Sequence, residues 1–177
     1  MNKKIVKTLL KVYSTLRTFS SPWIFKHYYQ VPIEKEVWGL VKNLPLFEFS
    51  KRVNNIEYKW DIGRGFFDCS FSASQPNYFF QDLEKGRDCD DYARIWRLWT
   101  IENGMKAYEY IILDSKKPFN TSHFITFGET SEGKFWLFNY TPYGPFESLD
   151  LAKEKMNFWY DKETVLFQEY NYLKEKN

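Results

Sequence analysis

Three side chains in this sequence could together carry nucleophilic chemistry: the thiol of Cys89, the imidazole of His123 and the carboxamide of Asn139. Cys89 follows Gly86-Arg87-Asp88 and opens residues 88–103, where Tyr92, Ala93, Ile95, Trp96, Leu98, Trp99 and Ile101 form a wide apolar face at helical spacing. Asp88 is the expected N-cap, and Gly104 follows the expected end. The first turn of a helix carries N–H groups without partners in the helix and a partial positive charge, and both favour thiolate over thiol. The same N–H groups can hold an oxyanion. A cysteine placed there suits acyl chemistry; its other ordinary role is that of a small buried hydrophobe.

His123 alternates with Ser122 and Phe124 in an expected strand, residues 121–127, and a second expected strand spans residues 134–140. A hairpin tip at Thr130-Ser131-Glu132 would pair Phe127 with Phe135, Ile125 with Leu137 and His123 with Asn139. Opposed residues on antiparallel strands project to one side with Cβ atoms about 4.5–5.5 Å apart. Asn139 could then bond one ring nitrogen and leave the other to face a thiol, the nucleophile–base–orienter pattern. The other histidine, His27, has no chemical neighbour in the sequence.

Asp88, Asp90 and Asp91 crowd the thiol, and negative charge beside a thiol raises its pKa. Asp90 and Asp91 are each at helical spacing from Arg94, which could neutralise them. Alternatively, Asp88 and Asp90 supply the hard oxygen ligands that Ca²⁺ takes.

Other elements must hold these groups in place. Residues 34–42 read as a short helix closed by Asn43 and Pro45. Residues 46–60 read as another, with Phe47, Val53, Ile56 and Trp60 as its apolar positions. Residues 66–80 suit a ring-rich packed loop. Residues 106–113 read as a strand, 141–145 as a turn, 147–157 as a helix and 164–169 as a last strand. Helices followed by an antiparallel sheet make an α+β pattern. The chain of 177 residues suits one domain, with a basic helical region at 1–45, a core at 46–145 and an extension at 146–177.

Aromatic residues make up 21% of the chain, enough to build a large core, and the net charge of +2 argues against a nucleic-acid binder. The charge is uneven, however. Lys3, Lys4, Lys7, Lys11, Arg17 and Lys26 all precede the first acidic residue, Glu34, while Ile5, Leu9, Val12 and Leu16 lie at helical spacing. The simpler expectation is that this stripe packs on the domain; the other is docking to an anionic surface or partner. Lys7 and Lys11 interrupt any signal-peptide core, and no apolar run is long enough for a span, which favours the cytoplasm. Cys69 and Cys89 are then expected to be reduced.

The residues around the thiol also carry a resemblance. Gly86-Arg87-Asp88-Cys89-Asp90-Asp91-Tyr92-Ala93 resembles the nucleophile motif of the bacterial transglutaminase-like cysteine proteinases, which runs Gly-any-Asp-Cys-acidic-Asp-Tyr-Ala. Val53-Asn54-Asn55-Ile56-Glu57-Tyr58 with Asp61 is similar to that family's lead-in, and residues 81–83 lie where a short helix would precede the motif. The family has Asp where this chain has Asn139, and Phe80 and its neighbours replace much of an upstream Trp and Pro pattern. The resemblance implies a papain-like core in which the cysteine helix packs on an antiparallel sheet. It implies a thiol-dependent amide hydrolase, a peptidase acting on protein or peptide, with Cys89, His123 and Asn139 as catalytic residues. It also implies Ca²⁺ at Asp88 and Asp90. Gln81 and Tyr78 are the upstream candidates to assist the oxyanion. The same fold could instead pass the acyl group to an amine, as a transglutaminase or acyltransferase does, or serve binding or assembly without catalysis.

Overall fold

The computed structural model describes Ile5, Thr8, Val12, residues 37–58, Phe80, and residues 87–114, 123–157 and 165–169. In chain order the elements are α1 (Val37–Val41), α2 (Leu46–Asn54), α3 (Cys89–Glu102), β1 (Lys106–Asp114), β2 (His123–Glu129), β3 (Phe135–Phe138), β4 (Pro142–Phe146), α4 (Leu149–Asn157) and β5 (Val165–Glu169). The architecture is α+β, as expected. Trp60, the loop at 66–80 except Phe80, and the oxyanion candidates Gln81 and Tyr78 lie outside the described residues, as do Cys69 and His27.

The long helix α3 is specified at both ends. Asp88 caps it in an extended conformation, its carboxylate accepting from the Asp90 N–H at 3.4 Å. At the far end the Gly104 N–H donates to Ile101 O and the Met105 N–H to Thr100 O, each at 3.0 Å. This paired closure needs a left-handed residue at the turn, and Gly104 supplies it with φ 74°. Tyr92, Ala93, Ile95, Trp96 and Trp99 are buried as expected, but Leu98 is only half-buried and Ile101 is exposed. In α2, Phe47 is likewise exposed, while Phe49 and Val53 are buried. The apolar face of α2 is therefore centred on Phe49.

The five strands form one antiparallel sheet in the order β4-β3-β2-β1-β5. Alternation sorts its side chains onto two faces. Thr126 and Phe138 face α3: the Thr126 hydroxyl donates to Ala93 O at 2.7 Å, and the Phe138 ring stacks on Trp96 at 4.7 Å. Ile125, Phe127 and Leu137 take the other face, where Tyr110, Ile112 and the α4 residues Ala152 and Met156 complete a second core. The cysteine helix and α4 thus cover opposite faces of the sheet.

Two expectations for this region need correction. Residues 141–145 are not simply a turn, because Pro142–Phe146 forms β4. β4 is an edge strand, where Pro142 and Pro145 cost little because proline's missing N–H is not needed on the outer side. The β2–β3 register also differs from the expected one by two residues. Phe127 faces Leu137 and Thr126 faces Phe138, so the expected Phe127–Phe135, Ile125–Leu137 and His123–Asn139 pairs do not form as direct opposites. The tip is Ser131-Glu132-Gly133, closed by Thr130 N–H to Lys134 O at 2.9 Å and Gly133 N–H to Thr130 O at 3.0 Å. Gly133, at φ 75°, takes the left-handed position such a tip requires. A two-residue shift leaves every side chain on its own face.

Near the N-terminus, Ile5 and Val12 are helical, as the spacing of the stripe predicts, and so is Thr8. Ile5 and Val12 are nevertheless exposed, so at these two positions the stripe is not packed on the domain.

Candidate active site

Cys89 is a buried thiol, not in a disulfide, at the first position of α3. Around it Arg87, Asp88, Asp90, Asp91 and Arg94 are all buried, so the acidic cluster is not a solvated helix face. Arg87, fully enclosed, was not singled out by the sequence; a charged residue just before an N-cap reads as surface unless its surroundings are known. Side-chain ligand atoms of Asp88, Cys89 and Asp90 lie within 4.8 Å of one another.

His123 is the first residue of β2, and Asn139 lies one residue beyond β3. The register shift makes them diagonal rather than directly opposed, yet His123 Nε2 and Asn139 Oδ1 are 2.7 Å apart. A carboxamide oxygen only accepts, so Nε2 carries the hydrogen and Nδ1 keeps its lone pair. A bend holds Asn139 in position, its N–H donating to Thr141 O at 3.2 Å. Burial lowers the His123 pKa below its ordinary value, and the bond to Asn139 opposes that shift. The group therefore favours the neutral, base-competent form.

A cluster of tyrosines lies between the helix and the histidine. Tyr92, one turn after Cys89, packs edge-on against Tyr140 at 4.9 Å, and Tyr140 packs edge-on against Tyr58 at 5.5 Å. The His123 ring is 5.7 Å from that of Tyr140. Alternation gives His123 the parity of the α4 face. Its place at the first residue of the strand, where the sheet ends, lets it reach a ring that belongs to the α3 side. Tyr92 is tied down by its hydroxyl, which donates to Ile56 O at 2.5 Å, and its pKa is pushed up to about 12, mainly by burial. The Tyr58 hydroxyl is held far above its ordinary value, first by burial, then by the neighbouring Cys89, Tyr140 and Asp88, with a hydrogen bond to Tyr140 adding to the shift. Tyr58 is thus a neutral hydroxyl beside the cysteine. The imidazole borders this cluster, and the thiol is near enough to Tyr58 to act on its ionisation; sequence reasoning assigned Tyr58 and Tyr140 no part in it. The one available signal was position: Tyr140 follows Asn139 directly, and Tyr58 ends the lead-in.

No family model matches the chain, and no curated protein matches it. Among solved structures the chain is similar to calcium-bound LapG of Legionella pneumophila, at 17% identity and a TM-score of 0.41, over 77% of this chain and 99% of that one. A likeness of this size carries no activity across.

Proposed function

We propose that this protein is a cysteine-dependent amide hydrolase that cleaves peptide bonds through an acyl-enzyme on Cys89. His123 Nδ1 takes the thiol proton, and Sγ attacks the carbonyl carbon. The tetrahedral intermediate collapses with loss of the amine, which receives the proton from His123. Water, deprotonated by the same nitrogen, then attacks the thioester; the acid departs and the thiol is restored. Asn139 keeps Nε2 protonated and the ring aimed. The backbone N–H of Cys89, at the first helical position, would serve the oxyanion.

The observation that carries this reading is the 2.7 Å bond between His123 Nε2 and Asn139 Oδ1 at the start of β2, with the imidazole against Tyr140 of the tyrosine cluster. The test is hydrolysis of a mixed peptide-substrate library by the full chain and by Cys89→Ala, alongside alkylation of the thiol by iodoacetamide. Turnover confined to the native chain, with alkylation faster than that of free glutathione near neutral pH, is expected. Equal turnover by Cys89→Ala, or slower alkylation than glutathione, would overturn the proposal. Amide exchange in place of hydrolysis when a primary amine is added would move the assignment to acyl transfer.

Asp88 and Asp90 fit a hard cation, being two buried carboxylates within one small cluster, and we propose that they hold Ca²⁺. The sulfur is a poor calcium ligand, and two carboxylates are fewer than the six to eight oxygens calcium takes, so further oxygens must complete the shell. The ion's charge would offset the carboxylates that otherwise raise the Cys89 pKa. Restoring Ca²⁺ to chelator-treated protein should raise the thermal midpoint and speed alkylation, and Asp90→Asn should lose both effects. No response of either measurement to calcium would remove the ion from the reading.

A further inference from the structure

The N-terminal stripe is uncovered at its two described apolar positions, Ile5 and Val12. Ile5 and Val12 are helical, two turns apart and each 52% exposed, so they share one face of the helix and that face meets solvent. Thr8, between them on the same side, is exposed too. In the sequence Leu9 and Leu16 extend the stripe, while Lys3, Lys4, Lys7, Lys11 and Arg17 fall on the opposite and flanking sides at helical spacing. No acidic residue precedes Glu34 to neutralise them. Phe19, Trp23, Phe25, Tyr28 and Tyr29 follow, a run of the ring types that settle at the headgroup level of a bilayer.

We infer that this segment docks the protein on an anionic lipid surface. The apolar stripe would enter the boundary between headgroups and acyl chains, and the lysines would reach back to the phosphates. A second copy fits less well, since pairing two such helices through their stripes would leave both basic faces uncompensated, whereas an anionic surface neutralises them. Among the described residues, no helix is long and apolar enough to cross a membrane.

The test is co-sedimentation of the full chain with vesicles of phosphatidylcholine alone and of equal parts phosphatidylcholine and phosphatidylglycerol, across a salt series. Binding to the mixed vesicles, weak binding to the neutral ones and loss of affinity with rising salt are expected. The double variant Ile5→Glu with Val12→Glu should lower affinity at least about tenfold, and so should the triple variant Lys4→Gln, Lys7→Gln, Lys11→Gln. The triple variant leaves the stripe intact and decides the matter if the first does not fold. Absence of sedimentation with mixed vesicles, or unchanged binding by the folded variants, overturns the inference. So does a concentration-dependent dimer that the glutamate variant dissolves, which would give the stripe to a second copy.

Discussion

At the scale of single residues, the proposed reaction turns on how Asn139 and Tyr58 bias the imidazole and the thiol. The Asn139 carboxamide orients the imidazole and favours its cation less than burial, the larger effect in His123, disfavours it. The neutral base therefore persists below the ordinary histidine value of about 6.5, and the acid limb of kcat/KM should fall below that pH. Asn139→Asp places a negative charge on Nε2, which favours the imidazolium, so the limb should move to higher pH. Asn139→Ala should lower kcat/KM on the order of a hundredfold without moving the melting point much, as expected when a reactive group loses its aim. A native limb above pH 6.5, or one that Asn139→Asp moves downwards, would count against His123 as the base. At Tyr58, a neutral hydroxyl beside a thiolate favours the charged form. Tyr58→Phe should accordingly slow iodoacetamide labelling of Cys89 at neutral pH by roughly tenfold; an unchanged rate would leave the tyrosine only a packing role.

At the scale of elements, the sheet tolerates little change where it meets α3. A Cβ on Gly128 would lie 2.8 Å from Phe138 Cε2 and 3.0 Å from Thr100 Cγ2, so Gly128→Ala forces α3 and β3 apart. Overpacking of that kind costs about 1–3 kcal/mol, which a urea unfolding midpoint would report. Gly39, in α1, has no atom within 4 Å of such a Cβ, and Gly39→Ala should stabilise by about 0.5–1 kcal/mol. Equal midpoints for the two variants would refute the close approach at Gly128. The sequence made α3 legible because its apolar period, its Asp88 cap and Gly104 all point to the same boundaries. The hairpin was legible only to its faces. Tips at 130–132 and at 131–133 keep the same side chains inward, and the left-handed requirement met by Gly133 is what decides between them. The glycine was the available signal for the true register. Even so, His123 and Asn139 were correctly brought together, because a shift of two residues preserves the face and the diagonal neighbour is within reach of these side chains. The tyrosine cluster was not legible, since it joins residues from the segment after α2, from α3 and from the end of β3, and no local period links them.

For the molecule as a whole, the aromatic content has a structural use. Phe49 of α2 is fully buried, and its ring centroid lies 6.2 Å from that of Trp38, 6.1 Å from Phe80, 5.1 Å from Trp96 and 5.5 Å from Trp99. Trp96 passes the stack on to Phe138 of the sheet. One ring thus ties α1, α2 and α3 into the core that holds the cysteine helix on β2 and β3. If those helices belong to the same cooperative unit as the sheet, Phe49→Ala lowers the stability of everything together. The loss should be about 3–5 kcal/mol, the usual cost of removing a fully enclosed phenylalanine. Far-UV and near-UV circular dichroism would follow the unfolding, the first reporting backbone and the second the packed rings. In the native chain both signals should fall in one transition, and in the variant both should shift to lower temperature by the same amount. A variant that loses its near-UV signal first while the sheet persists would make α1 and α2 a separable layer. The cysteine helix would then depend on the sheet alone for its position, and the single-domain reading would have to be given up.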